Sequence, residues 1–281
     1  MKHYRPTTKS RRHMSTISYR KIITSKNPHK ALTSGFKRSV GRNSFGRLTT
    51  RHKGGGHKRL YREIDFKCEK INVPAKVLTI EYDPNRSGFI SLVCYKDGEK
   101  RYMLLPKSIK VGDEFIVSEN AEVKIGNRLP LRKIPVGTFV YNVELKPNGG
   151  AKLGRSAGNY AEVVAQDAGH TDLKLPSSEV RKVLDTCWAS VGEVSNDENR
   201  LVNIGKAGRS RWLGIRPTVR GTAMNAVDHP YGGGEGRQGR GTRRAKTRWG
   251  KPVGKGQKSR YPKKYSNYLI VSRRKVGKKR E

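Results

Sequence analysis

An aspartate followed at once by a histidine is the pair in this sequence most open to a catalytic reading. Asp228 and His229 sit in RPTVRGTAMNAVDHPYGGGEGR (216–237), and a carboxylate beside an imidazole can orient a general base and tune its pKa. Neighbours in sequence, however, do not generally point at each other. No Ser or Cys nucleophile of recognisable context accompanies the pair, and GGGEG reads as a loop rather than a scaffolded pocket. Catalysis by Asp228 and His229 is therefore disfavoured, and the chain is not expected to be an enzyme. Metal chemistry has no better footing. Cys68, Cys94 and Cys187 are odd in number, widely spaced and without a CxxC pair, which argues against a disulfide framework or a zinc site. His52 and His57 alone are too sparse for a metal site. No metal and no cofactor are expected.

The chemistry these residues favour is anion binding. In RHKGGGHKRLYREIDF (51–66), Gly54, Gly55 and Gly56 stand among Arg51, His52, Lys53, His57, Lys58 and Arg59. Glycines there let the backbone come close to a phosphate chain, with cations on both sides. The P-loop pattern is absent, and a plain flexible linker is the alternative. In Gly205–Gly241, Lys206, Arg209, Arg211, Arg216, Arg220, Arg237 and Arg240 are separated by glycines and small residues rather than by a helical apolar stripe. Arg243 and Arg244 follow. That spacing predicts an extended, groove-following segment. Arginine forks make bidentate phosphate contacts and stack on bases. Trp212 and Tyr231 offer ring faces for stacking, although Trp212 reads equally well as a packing anchor. His229 joins this anion-binding set, as do Arg86 and Arg155 from the middle of the chain.

The charge of the whole chain says what the anion must be. Its 281 residues include 61 Lys or Arg against 23 Asp or Glu, a formal net charge of +38. A field of that size needs a polyanion. Residues 1–60 carry 17 basic and no acidic side chains, residues 61–200 carry 21 against 20, and residues 201–281 carry 23 against 3. Blocks of like charge are commonly mere solvated tails; an excess confined to both ends around a balanced middle is harder to dismiss. The ends are rich in Gly, Ser, Thr and Pro and are expected to order only on a partner. A DNA-compacting protein shares basic tails but gives no reason for a folded β middle.

With 33% hydrophobic residues, one core cannot span everything. No apolar run approaches the roughly 20 residues of a membrane span, so no membrane partner is expected. Residues 1–50 have the basic, acid-free character of an organellar transit peptide. The pattern runs on without a cleavage-like break into Arg51–Phe66, so a cytoplasmic location is expected, with an organellar matrix second.

The elements that must position these residues are β-strands. Ala75–Tyr82, Phe89–Tyr95 and Arg101–Leu105 are short β-branched or aromatic runs separated by Asp83-Pro84-Asn85 and by the hairpin-like Lys96-Asp97-Gly98-Glu99. Phe115–Ser118 and Ala121–Ile125 complete a set that suits a small barrel. Thr138–Leu145, Tyr160–Ala165, Thr171–Leu175, Ser178–Val183 and Ser190–Val194 make a second. Helix is expected only in short pieces near Pro106–Ile109 and Leu201–Gly205, the latter after Asn196 and Asp197. The chain thus divides into a basic extension over 1–60, barrels over 61–128 and 129–200, and a second basic extension over 201–281.

Four stretches carry a family resemblance. They are 51–66 and 216–237, quoted above, EYDPNRSGFISLVCYKDGEKRYMLLP (81–106) and LPLRKIPVGTFVYNVELKPNGGAKLGRSAGNYAEVVAQD (129–167). In order, and through almost the whole chain, they resemble the universal ribosomal protein L-two family in its bacterial or organellar branch. The resemblance implies a mainly β chain: an OB-fold barrel, then a Src-homology-3-like barrel, with long irregular basic extensions threaded through large-subunit rRNA. It further implies a primary binder of that rRNA, needed for subunit association, tRNA binding and peptidyl-transferase activity. Small-subunit rRNA at an intersubunit bridge and neighbouring ribosomal proteins are the other implied partners. Two departures stand out: Tyr231 occupies the place of a second histidine, and Ala226 that of a common proline. Gln238–Arg248 is also richer in arginine than the family pattern.

Overall fold

The computed structural model describes residues 1–236, 239, 241–254 and 260–274. The chain divides into two compact units. The first holds Met1–Arg38, Lys58–Ala207 and the segment from Tyr268; the second holds Ser39–His57 and Gly208–Asn267.

In the first unit, the amino-terminal extension contributes β1 (Lys2–His3), α1 (Lys9–Arg12), β2 (Ser15–Thr16) and β3 (Thr33–Gly35), the last paired with β4 (Leu60–Arg62). Next come β5 (Ala75–Glu81), β6 (Ile90–Tyr95), β7 (Lys100–Leu104) and β8 (Glu114–Phe115). They form an antiparallel sheet in the order β7-β6-β5-β8. The β6–β7 hairpin closes where expected: Tyr95 N–H donates to Glu99 O, and Gly98 N–H to Tyr95 O, both at 2.9 Å. Gly98 has φ +87 there, a conformation that favours glycine.

Strand β6 is nearly all apolar because both of its faces are covered. Val93 and Tyr95 join a core with Ala75, Val77, Phe89, Met103 and Phe115. Ile90 and Leu92 pack with Tyr102 on the other side, beneath Leu32 and Ile64. Tyr102 also ties the extension down, since its hydroxyl accepts from His29 N–H and donates to the buried Glu81 carboxylate, both at 2.7 Å.

The second group is β9 (Arg128–Pro130), β10 (Phe139–Tyr141), β11 (Val143–Glu144), β12 (Ala151–Leu153), β13 (Ala161–Asp167), β14 (His170–Lys174), β15 (Val180–Leu184) and β16 (Trp188–Val191). The predicted run Thr138–Leu145 splits at buried Asn142, whose φ of +50 turns the chain. Consequently β10 enters a sheet that runs, from the edge strand Ile270–Ser272, through β15-β14-β13-β10-β16-β9, while β11 pairs with β12. Strand β17 (Ile270–Ser272) comes from the carboxy-terminal extension and pairs with β15, so that extension is not irregular throughout. Leu129, Leu131, Ile134, Val140, Val163, Leu173 and Val191 are central to the core inside. The architecture is mainly β, an OB-fold barrel followed by a Src-homology-3-like barrel.

Three expectations need correcting. Ala121–Ile125 is no strand: Val123 and Ile125 are exposed, and Asn127 draws the segment into a turn by donating to Glu122 O and accepting from Ile116 N–H, each at 3.0 Å. Pro106–Ile109 is not helical, and Pro106 instead forms an isolated bridge with Val194. The expected turn near Leu201–Gly205 lies earlier, as a 3-10 turn over Asp197–Leu201 that follows Asn196 in a left-handed conformation.

Within the first unit the two barrels are joined by buried polar groups. Arg128 N–H donates to Ile116 O, and Ser118 N–H donates to Arg128 O. The Arg128 side chain turns the other way, to Asn142 O (2.7 Å) and the Glu144 carboxylate (3.0 Å). Cys68, Cys94 and Cys187 are free thiols, and burial pushes Cys68 and Cys187 up to about 11.

Candidate nucleic-acid interface

The two cationic motifs, far apart in the chain, meet in the second unit. Lys53 and Ile215 form an antiparallel bridge. Around it Arg216 N–H donates to His52 O (3.0 Å), Gly54 N–H to Gly214 O (2.9 Å) and His57 N–H to Trp212 O (2.9 Å). These bonds satisfy the backbone of a segment too polar to bury itself. Gly54 and Gly55 lie at φ +133 and +62. Positive φ at successive glycines turns the chain without side chains, and Arg51, Lys53, Gly55 and His57 stay exposed.

On the partner segment, the predicted extended conformation fails at several places, Gly221–Ala223 forming a 3-10 turn and residues 225–232 a tight loop. Residues Ala207–Trp212 coil into α2, a helix too short to reveal itself by hydrophobic period. Arg211, Arg216 and Arg220 are exposed, Arg209 is half-buried, and Trp212 is 59% exposed, which weighs against its reading as a packing anchor.

This unit has 20 Lys or Arg against Asp228 and Glu235 alone. None of the hydrophobic clusters found among the described residues draws a side chain from it. Like charges at this density repel, so a counter-charge is needed to favour the compact form. Ring faces accompany the cations. A hairpin closed by the Lys246–Pro252 bridge holds Arg248 and Trp249 at its turn. Trp249 is 68% exposed, and the Arg51 and Arg248 guanidiniums lie 5.8 and 5.7 Å from its ring centre. The sequence reading missed Trp249 as a site residue; a Trp between Arg248 and Lys251 was the available signal.

His229 belongs to a tight loop. Tyr231 N–H donates to His229 Nδ1 at 3.1 Å, so the nitrogen that a catalytic carboxylate would hold is already occupied. The ring lies on the Gly221 backbone, where a Cβ would come within 2.5 Å of it. Gly232 N–H donates to His229 O (2.8 Å) and Gly233 N–H to Met224 O (3.1 Å). Buried Tyr231 accepts from Lys246 N–H. These contacts make His229 part of the loop's own packing.

The remaining predicted residues are spread out. Arg243 and Arg244 are exposed in the second unit. Arg237 and Arg240 lie outside the described residues. Gly56 is half-buried in the paired segment. Lys58, Arg59, Arg86, Arg155 and Lys206 belong to the first unit. Arg59 is committed to Pro84 O (2.6 Å), and Arg86 to the fully buried Asp83 carboxylate (2.6 Å). The Arg86 and Arg155 guanidiniums sit 5.4 and 4.8 Å from the Phe66 ring centre, one from each barrel. Among the described residues, no group of three or more His, Cys, Asp or Glu is placed to hold a metal ion. No described helix is long and apolar enough to cross a membrane.

Residues 29–118 match the family model described as Ribosomal Proteins L2, RNA binding N-terminal domain. Residues 124–250 match the one described as Ribosomal Proteins L2, C-terminal domain.

Proposed function

Because the chain belongs to the family of ribosomal proteins L2, and so is an RNA-binding protein of the large ribosomal subunit, we propose that it is a primary binder and scaffold of large-subunit rRNA and not an enzyme. The observation that carries this reading is the pairing of residues 52–57 with 212–216, which gathers both cationic motifs in one unit with almost no acid. Phosphate neutralisation supplies the affinity there, and Trp212 and Trp249 supply faces for unpaired bases. The barrel segments 61–128 and 129–200 set where the cationic segments leave the fold. Arg86 and Arg155 over Phe66 form a second, smaller contact at the barrel seam.

In this reading the protein supports subunit association and tRNA binding, reaches small-subunit rRNA at an intersubunit bridge, and adjoins neighbouring ribosomal proteins. Its influence on peptide-bond formation is indirect, because His229 is held by loop contacts. The ribosome it serves is the cytoplasmic one, with an organellar matrix as the second choice.

The test is titration of the full chain with large-subunit rRNA across a salt series, with duplex DNA as competitor. Affinity that falls steeply with salt, together with preference for the rRNA, supports the reading. Equal affinity for duplex DNA rejects it.

A further inference from the structure

Residues 41–50 of the second unit form a hairpin finger. Gly41 O accepts from both Thr49 N–H and Thr50 N–H (2.9 Å each), Asn43 N–H donates to Arg47 O (2.9 Å), and Arg42 bridges Leu48. Asn43 Oδ1 accepts from Phe45 N–H (3.1 Å) and Arg47 N–H (2.9 Å), closing the tip. Gly46, at φ +76, completes the turn. Phe45, at that tip, is 86% exposed, the most exposed aromatic side chain among the described residues.

A single exposed apolar side chain is ordinary on a protein surface. This one differs in its mounting. It stands on a hydrogen-bonded hairpin whose arms carry Arg42 and Arg47, in a stretch with no acidic residue before Glu63. The hairpin holds the phenyl ring out on a short lever with cations on both arms. Phenyl carries no polar handle, so its complement is a flat, apolar, π-rich face in an anionic setting. An unpaired RNA base meets that description: one face for stacking, with phosphates on either side.

We propose that Phe45 is a stacking finger for an unpaired RNA base, with Arg42 and Arg47 engaging the flanking phosphates. This rests on the reading of the chain as an RNA binder. Every base has a π-face, so the finger distinguishes unpaired from paired RNA rather than one base from another.

The test uses the full chain, an RNA duplex with one unpaired 2-aminopurine nucleotide, and the same duplex fully paired. Wild type should prefer the bulged RNA and change the 2-aminopurine emission. Phe45→Ala should lower affinity for the bulged RNA roughly tenfold, leaving its salt slope and the paired duplex unaffected. Phe45→Trp should retain both preference and emission change. Arg42→Gln with Arg47→Gln should instead flatten the salt slope. Binding by wild type that Phe45→Ala leaves unaltered overturns the finger while the RNA reading stands, as does a Phe45→Trp that behaves like alanine. Failure of wild type to bind either RNA overturns both.

Discussion

The Arg128 guanidinium and the Glu144 carboxylate meet at 3.0 Å with 1% and 2% of their side chains exposed. Glu144 is further held by Trp188 N–H (3.3 Å), and Arg128 by Asn142 O. Removing one member leaves a buried charge without its counter-charge, which costs roughly 3–5 kcal/mol. Arg128→Met or Glu144→Leu should therefore lower the urea midpoint strongly. The double variant, with no charge left to strand, should be less destabilised than either single change. A double variant as poor as the sum of the two would mean that the charges act independently.

Gly41 is predicted to be the least replaceable glycine of the finger. A Cβ there would lie 2.0 Å from Thr50 O, at φ +81, whereas at Gly46 only the φ of +76 is unfavourable. Gly46→Ala should cost about 1 kcal/mol, and Gly41→Ala clearly more. Protease cleavage within residues 39–57 should rise much further in Gly41→Ala than in Gly46→Ala.

His229→Ala should leave the chemical step of peptide-bond formation nearly unaltered in fully assembled subunits. Its effect should fall on the loop, where Tyr231 N–H loses its acceptor. A large loss in single-turnover peptide transfer with normal assembly would reinstate the catalytic reading.

Thiol labelling should separate the cysteines. Burial raises the pKa of Cys68 and Cys187 to about 11, so at pH 8 almost none of either is thiolate. Iodoacetamide should modify half-buried Cys94 first, and all three only on unfolding. The buried neutral thiols contribute to stability fully below the unfolded value of about 9. That contribution is lost as pH rises through about 11. Unfolding midpoints should fall over that alkaline window, and equal labelling rates in the native chain would contradict the burial.

Acid should loosen a surface cluster. Lys70 lies against Asp97 and Glu99; the Lys70 ammonium holds Asp97, and Arg101 followed by Lys70 holds Glu99, below the usual carboxylate values. Such groups stabilise above their unfolded pKa and cease to as pH falls through the folded one. Below about pH 4, amide exchange around the β6–β7 turn should therefore quicken, and Lys70→Gln should flatten that pH response.

Much of the first barrel was legible in the sequence, because Ala75–Tyr82, Phe89–Tyr95 and Arg101–Leu105 are dense β-formers bounded by turn residues. What covers β6 was not: Leu32 stands in a polar, basic stretch and Ile64 between Glu63 and Asp65, with no period to mark either as core. Thr138–Leu145 reads as one strand because nothing in the sequence announces that Asn142 will take a left-handed turn. Among candidate site residues, composition found Arg51–Arg59 and Arg209–Arg220. Their pairing depends on backbone bonds between segments far apart in the chain, which side-chain types do not encode. Phe45 was hidden because one apolar residue in a basic stretch carries no pattern until the hairpin is seen.

The pairing of β17 with β15 bears on how the molecule is made. The whole run of the second unit from Gly208 to Asn267 is synthesised between these two strands. Until Ile270–Ser272 arrives, a nascent or truncated chain presents the backbone edge of β15 to any passing strand. Stopping translation early should therefore yield a sticky product, and full-length synthesis retires that edge.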